Sequence, residues 1–584
     1  MQRIRDNTRI RGLSFGHTEL KVSAYADDTL IVMDGGEESL REAYRMLAEF
    51  QGVSGLKLNA QKTRAVWIGS NRQRQDSICP DLGLAWEFGS VDYLGLKIDV
   101  NSETMAEINY ATKISHLGKK LNPWHSRGLT PYGKVHVIKS EALSQLIYLM
   151  SVFEKPSPQQ IKSIESIMFR FLWGKTEKVK RSTIKNTWKQ GGLQVPDIGV
   201  QADSLKIAWV RKVLDPDCTS KWKAIMRRKL MISEDVSVFH CDGYLPEMNE
   251  LRNDKFWSEV LNAWYKINVL ESPSGSELLS KPLWHNRYMK LERNVSLSRP
   301  ALIGRGIITV ANLYNPVQRR LRTGPELFRQ YNYGSFLTWH AILSSLPTEW
   351  KATLVRERPQ APTLPECFQQ VMKTFKTAKW AYGILIKQSR LSRPEKAQRK
   401  WSNELNLGDE FVWSDVFSQI YKNTKDFKLR WLQLRMIHRI LPTNNRLFLY
   451  GLRDSNECDR CPGQVESISH IFWFCPVVMN FWNSLHRIFG FRRPLNLKSI
   501  ILNRLEGERC LCPSSLFICL MLGKHYIWRC RYSGVRPELQ GFIKATLHYI
   551  IIEKYIATMT NKLDKHHHKW TKLEELLKNS ERPP

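Results

Sequence analysis

Hydrophobic and polar positions along the chain change period several times, and each change marks an element. The apolar residues on either side of Tyr25-Ala26-Asp27-Asp28, from Val22 to Met33, read as two β-rich arms. The Asp pair sits where such a hairpin turns. After Gly35-Gly36 the period becomes helical, with Leu40, Tyr44, Leu47 and Phe50 on one face. Residues 105–153 read as helices punctuated by Pro123 and Gly128. Ile114, Leu117 and Leu121 form one stripe, and Val135, Ile138 and Leu146 lie in the next. Pro156 and Pro158 open another helix, with Ile161, Ile164, Met168 and Phe171 at helical spacing. A basic run from Lys175 to Lys185 follows in a Gly-bounded loop.

The rest of the chain is mostly helical. Residues 202–346 carry Trp209, Trp222, Trp257, Trp264 and Trp284, which suit either a helical core or stacking on bases. Residues 354–365 and 388–399, polar and Pro-containing, read as linkers around a short apolar island at 378–387. Residues 427–450 read as a basic helix pair. Leu429, Leu432, Met436 and Ile440 give its apolar face, and Arg430, Arg435, His438 and Arg439 decorate the rest. Residues 500–570 read as helical, and the three-histidine stretch His566 to His568 reads as a solvated basic tail.

Composition narrows the partners. Hydrophobic residues make up 42% of the 584, enough for a large core. Lys and Arg number 88 against 56 acidic residues, a net charge of +32 that points to a polyanion, nucleic acid first. An anionic membrane is the competing partner, but no apolar stretch reaches the roughly 18 residues a spanning helix needs. Arg3, Arg5, Arg9 and Arg11 are followed by no apolar signal region, so the chain is expected to be intracellular. Seven of the eleven cysteines lie between Cys458 and Cys530, and such clustering suggests metal before disulfides.

Two motifs carry chemistry. Asp27 and Asp28 place two carboxylates at a strand tip, which suits a hard cation such as Mg²⁺. Cys458-x2-Cys461-x8-His470-x4-Cys475 is zinc-ligand spacing. Three thiolates and one imidazole suit Zn²⁺, and four protein ligands leave no open position, so that site is expected to be structural.

The Tyr25 to Asp28 box is followed by Ser54-Gly-Leu-Lys-Leu-Asn-Ala-Gln-Lys-Thr63 and then Val91-Asp-Tyr-Leu-Gly-Leu-Lys-Ile98. The ordered set resembles motifs C, D and E of the reverse transcriptase palm, in the form found in LINE-type (non-LTR) retrotransposons. The Cys/His block, with Phe481-Trp482 after it, resembles the zinc-binding domain C-terminal to such polymerases. Phe171-Leu-Trp-Gly174, followed by basic residues and Gly191-Gly-Leu, resembles the region after the thumb in the same polymerases.

The resemblance implies an α+β chain: a partial palm hairpin and sheet, a mostly helical thumb and connector, and a small zinc-binding helical domain. The expected boundaries are 1–103 palm, 104–154 thumb, 155–408 connector, 409–500 zinc domain and 501–584 basic tail. It implies an RNA-directed DNA polymerase working by two-metal nucleotidyl transfer in target-primed reverse transcription. Its partners are an RNA template and a DNA primer, and its expected location is the nucleus and cytoplasm. Asp27 is the expected ligand of catalytic Mg²⁺ and Asp28 its support. Lys62 is the motif D lysine that protonates pyrophosphate, and Tyr93, Leu94 and Gly95 are the primer grip. Lys178, Lys180, Arg181, Arg435 and Arg439 are expected nucleic-acid contacts. The family's other palm Asp lies well upstream of motif C; here only Asp6 precedes Asp27, close to the hairpin and in the wrong place. The chain is therefore expected to be the C-terminal part of a longer polyprotein. The alternative is a catalytically inactive nucleic-acid-binding remnant.

Overall fold

The structure is a computed structural model. It describes the chain apart from residues 16–17, 60, 175, 242, 244–250, 252, 269–272, 290–299, 390, 392, 505–510 and 581–584. Helices dominate, and the described strands form six separate two-stranded sheets, an α+β architecture. The chain packs as two compact units interleaved in sequence. The first holds Met1–Lys120, Glu141–Ser166 and Asp197–Ser389. The second holds Leu121–Ser140, Ile167–Pro196 and Arg390–Pro584.

In the first unit, β1 (Leu13–Phe15) pairs with β2 (Thr18–Leu20), and β3 (Val22–Tyr25) pairs with β4 (Asp28–Ile31), both antiparallel. The hairpins rest on α1 (Glu37–Ser54) through Val22, which is buried with Ile4, Ile10, Ala43 and Met46. Leu40 is buried and Tyr44 and Leu47 are half-buried, whereas Phe50, expected on the same face, is exposed. A third hairpin joins β5 (Ser90–Tyr93) to β6 (Leu96–Asp99). It is pinned to α2 (Ser102–Leu121) by buried Asn109, which bonds both the N–H and the carbonyl of Lys97 at 2.9 and 2.8 Å.

The remainder of this unit is one large core. Here α3 (Ile198–Leu214) packs on α5 (Lys255–Ile267) and on α6 (Thr377–Gln388), and α4 (Lys221–Leu230) joins its edge. Trp257, Trp264 and Trp284 are buried, and Trp209 and Trp222 are half-buried against Trp257. The tryptophans serve the helical core, one of their two expected uses. Burial pushes the Lys206 ammonium down to about 8; it donates to the Phe153 carbonyl in place of water.

In the second unit, α7 (Phe427–Ile437) and α8 (Asn444–Leu449) form the expected helix pair. A short hairpin of β7 (Glu457–Cys458) and β8 (Cys461–Val465) follows. Then come α9 (Pro476–Phe489), α10 (Pro513–Tyr532), α11 (Leu539–Met559) and α12 (Leu563–Asn579). Helix α10 is buried along much of its length. At Gly523 a Cβ would stand 2.5 Å from the Trp482 ring, so only glycine lets α10 approach α9 this closely. One turn of α10 holds fully buried Lys524, whose Nζ reaches Gln433 Oε1, the Ile500 carbonyl and Asn503 Oδ1 at 2.5 to 2.8 Å.

Several sequence expectations change. The apolar island at 378–387 is α6, a principal partner of α3, because its residues Ala381 and Leu385 complete the core. The basic stretch 176–185 is not all loop: Arg181–Lys185 is helical, and Lys175 lies outside the described residues. The histidine tail is packed helix. His566 is buried with Nε2 3.3 Å from the Ile550 carbonyl, and Trp570 Nε1 donates to Glu553 of α11. Arg430 and His438 do not decorate a surface. Both are buried, Arg430 on the Thr424 and Tyr421 carbonyls and His438 on that of Gly191. Among the described residues no helix is long and apolar enough to cross a membrane.

Candidate metal centres

The carboxylate hairpin is built as its pattern requires. Tyr25 lies opposite Asp28, leaving Ala26 and Asp27 as the two-residue turn. Ala26 adopts a left-handed φ of +52°, a strained choice for a residue with a Cβ, at about 1–2 kcal/mol. The base is held firmly. Buried Lys21 donates to the Asn7 carbonyl at 2.8 Å and pairs with Glu19 at 3.1 Å. The tip is open. Asp27, Asp28 and Tyr25 are exposed, and among the described residues neither carboxylate has a hydrogen-bond or ion-pair partner. The arrangement offers adjacent hard oxygen donors in water, which fit a cation's first two ligands and no more.

The other polymerase-directed residues occupy separate places in this unit. Lys62 lies exposed in a turn that Thr63 closes through its N–H and hydroxyl on the Asn59 carbonyl. Among the described residues no hydrogen bond joins Lys62 to the Asp pair. Tyr93, Leu94 and Gly95 make the tip of the β5–β6 hairpin. Leu94 and Gly95 both have positive φ, +49° and +74°, the turn whose twist matches paired strands.

In the second unit, the expected nucleic-acid contacts fall into two groups. Lys178 and Lys180 are exposed. Arg181 is engaged by Glu177 at 2.6 and 2.9 Å and lies over the Phe169 ring. Arg439 pairs with Glu404 at 2.7 Å and covers Trp401. Arg435 is half-buried near Trp431 and Trp528, and burial holds it down to about 10. The last three guanidinium groups thus serve packing within the unit.

The Cys/His block closes on itself. Cys458 and Cys461 face each other across β7–β8, which brings two thiols to one side of a tight knuckle. His470 and Cys475 come from the next turn. In an α-helix, residues five apart point about 140° from each other. Here His470–Phe474 is a π-turn, closed by the Cys475 N–H on the His470 carbonyl at 2.9 Å, and it brings both side chains to the same side. The four ligand atoms lie within 4.8 Å of one another. Cys461 Sγ is 3.0 Å from His470 Nε2 and 3.8 Å from Cys475 Sγ. A tetrahedron with metal–sulfur bonds of about 2.3 Å has edges of about 3.8 Å.

The electrostatics call for a cation. Burial and the neighbouring sulfurs push the Cys461 thiol up to about 12. Burial also opposes ionisation of Cys475, but the His470 ring and the backbone N–H of Val478 outweigh it and bring that thiol to about 7. Three thiolates this close repel unless a metal stands between them. The donor set fits Zn²⁺ with all four positions filled by protein.

A supporting carboxylate is not legible in the ligand pattern. Glu466, at the end of β8, is buried; it accepts the Asn444 N–H at 2.6 Å and both Nη2 and Nε of Arg531 from α10. Asn444 Nδ2 in turn donates to the Glu457 carbonyl at 2.7 Å. The knuckle is therefore tied to α10 by a buried ion pair and to α8 by hydrogen bonds.

Comparison with known families matches residues 1–98 to the family described as reverse transcriptase (RNA-dependent DNA polymerase). It matches residues 398–482 to the family described as zinc-binding in reverse transcriptase. The first segment holds both hairpins and Lys62, and the second holds the four zinc-directed ligands. The chain thus carries a reverse transcriptase segment and a zinc-binding domain with a Cys/His cluster, and nucleic acid is the substrate class that follows.

Proposed function

We propose that this chain serves RNA-directed DNA synthesis of the LINE (non-LTR) kind, in target-primed reverse transcription. The observation that carries the reading is the Asp27–Asp28 hairpin, solvent-open at its tip and anchored at its base, within the reverse transcriptase segment. Asp27 holds the catalytic Mg²⁺ and Asp28 supports it. The ion, when bound, stabilises charge that develops on the phosphates during nucleotidyl transfer. Lys62 protonates the leaving pyrophosphate, and the Tyr93–Leu94–Gly95 tip steadies the primer end. Lys178 and Lys180 meet phosphates, and the zinc domain holds its own shape rather than reacting. Nucleus and cytoplasm are the compartments this role requires.

A second reading is nucleic-acid binding without synthesis. One observation favours it: among the described residues the zinc quartet is the only convergent group of three or more His, Cys, Asp or Glu side chains. Two-metal transfer uses carboxylates from more than one strand, so Asp27 and Asp28 form half of such a centre.

Primer extension separates the two. The purified chain is given an RNA template, a DNA primer, nucleotides and Mg²⁺, and Asp27→Asn is run beside it. Extension by the wild-type chain that Asp27→Asn abolishes supports synthesis. Salt-sensitive binding with no extension supports the second reading, and absence of binding overturns both.

A further inference from the structure

Between the helix Glu366–Lys373 and α6, the first unit's chain turns through Thr374, Phe375 and Lys376. A phenyl ring in such a turn ordinarily folds back onto the core beneath it. Phe375 does not. It is 87% exposed, more than any other aromatic residue among the described residues. Between residues 365 and 389 no other large apolar side chain is exposed.

The turn that carries the ring is firmly held. Arg211 of α3 donates through Nη1 to the Thr374 carbonyl at 3.3 Å, and the Thr377 hydroxyl donates to the same carbonyl at 2.8 Å. The Thr374 N–H donates to the Gln370 carbonyl at 3.1 Å and closes the preceding helix. Thr377, at the start of α6, is buried. The Arg211 guanidinium also stands 4.8 Å from the centroid of the Phe375 ring, within cation–π range. One side of the ring therefore rests on a cation, and the rest faces water.

Three lysines bracket the ring. Lys373 ends the preceding helix, Lys376 follows Phe375, and Lys379 lies in the first turn of α6. All three are exposed, and among the described residues none of their ammonium groups has a hydrogen-bond or ion-pair partner. Residues 367–394 contain no Asp or Glu. Glu366 precedes Lys373 by seven residues, about 10 Å along the helix. An ordinary solvated helix face interleaves its charges, as α1 does in the same unit, where Arg45 pairs with Glu42 and Glu49.

A rigidly mounted ring among unpaired cations has the two parts that hold a single strand. The ring offers a face on which a base stacks, and the cations follow the phosphates. A duplex keeps its base faces inside the stack and cannot use the ring. A membrane contact would bury several apolar side chains together, and this turn exposes one.

We propose that the Phe375 turn is a stacking site for an unpaired base of single-stranded nucleic acid, with Lys373, Lys376 and Lys379 on the flanking phosphates. The inference rests on the proposed role in nucleic-acid binding and assigns the unpaired strand to the connector.

The test uses the full chain with labelled oligo(U), oligo(dT) and a blunt DNA duplex, with Kd measured across a salt series. Phe375→Ala is expected to weaken single-strand binding about ten-fold while leaving its salt slope and duplex binding unchanged. Phe375→Trp should keep the affinity. Lys373→Gln/Lys376→Gln/Lys379→Gln should make the single-strand log–log slope shallower by about 2, at about 0.7 for each phosphate contact. Thermal melts matching the wild type establish that the variants are folded. The expected loss on the RNA, the DNA or both supports the site and tells which strand it takes. Wild-type single-strand binding in both Phe375→Ala and the triple variant overturns this site alone, as does an equal loss on duplex and single strand. A wild-type chain that binds none of the three probes overturns the nucleic-acid reading as a whole. If Phe375→Ala keeps oligonucleotide binding but loses binding to phosphatidylserine vesicles, the turn is a membrane contact and the proposal is wrong.

Discussion

The Asp27–Asp28 hairpin and the Cys458–Cys461–His470–Cys475 knuckle are both metal-directed, yet they are finished in different ways. The knuckle gathers its ligands from 18 residues of chain and buries three of the four. A buried Glu466–Arg531 pair then fastens it to α10. The hairpin is rigid at its base and bare at its tip, with two carboxylates in water. On the proposed function the difference follows from what each metal would do. A structural zinc must be enclosed by its own module, whereas a polymerase centre must stay open to substrate and draw its carboxylates from separated strands.

The largest effect that would break this comparison is at the zinc ligands. Cys461→Ser should reduce bound zinc from one per chain to none, with a loss of several kcal/mol in the stability of the second unit. Metal analysis alongside urea unfolding checks both, and a zinc-free wild-type chain would remove the distinction. Next comes the fastening pair. Arg531→Ala leaves buried Glu466 unpaired and should cost about 3–5 kcal/mol, read as a lowered urea midpoint. Arg531→Ala with Glu466→Gln should recover part of that loss.

A smaller effect depends on pH. Burial holds His438 down to about 4, below its ordinary 6.5. Between those values the unfolded chain binds a proton that the folded chain refuses. The stability is therefore complete above about pH 6.5 and is lost as pH falls towards 4, by roughly 3 kcal/mol for this group. Unfolding midpoints at pH 7.5 and 5 should show it, and His438→Gln should flatten the dependence. The smallest effect is at the hairpin. Asp27→Asn should change the melting free energy by no more than about 0.5 kcal/mol, because its carboxylate has no hydrogen-bond or ion-pair partner among the described residues. A loss as large as that of Cys461→Ser would mean that the tip is a structural element after all.

Legibility in the sequence followed the range of the interactions. The β3–β4 hairpin, the Tyr93–Leu94–Gly95 turn, the helix stripes and the four-ligand spacing all depend on neighbours a few residues away. Patterns of period two or 3.6 and turn residues report those directly. Arg435 and Arg439 show where this stops. Their spacing on a basic helix suggested an open surface, but Trp401, Trp528 and Glu404 arrive from elsewhere in the second unit and cover them. The same holds for residues 378–387, whose short apolar run gave no sign of becoming the main partner of α3. Glu466 had no signal at all, since an acid after a strand is ordinarily solvated.

The amino-acid order alone determined which chemistry the chain can perform: two carboxylates at a turn, three thiols and an imidazole at zinc spacing, and a large excess of positive charge. Those are properties of residue type and short separation, and folding does not alter them. Only the tertiary structure decided which charges remain available. Burial and long-range pairing spend Arg430, Arg435, Arg439, Lys206 and Lys524 inside the two units and leave Lys178 and Lys180 in water. Desolvating a cation is costly without a partner, and for Lys206, Arg439 and Lys524 that partner lies 53, 35 and 91 residues away in the chain.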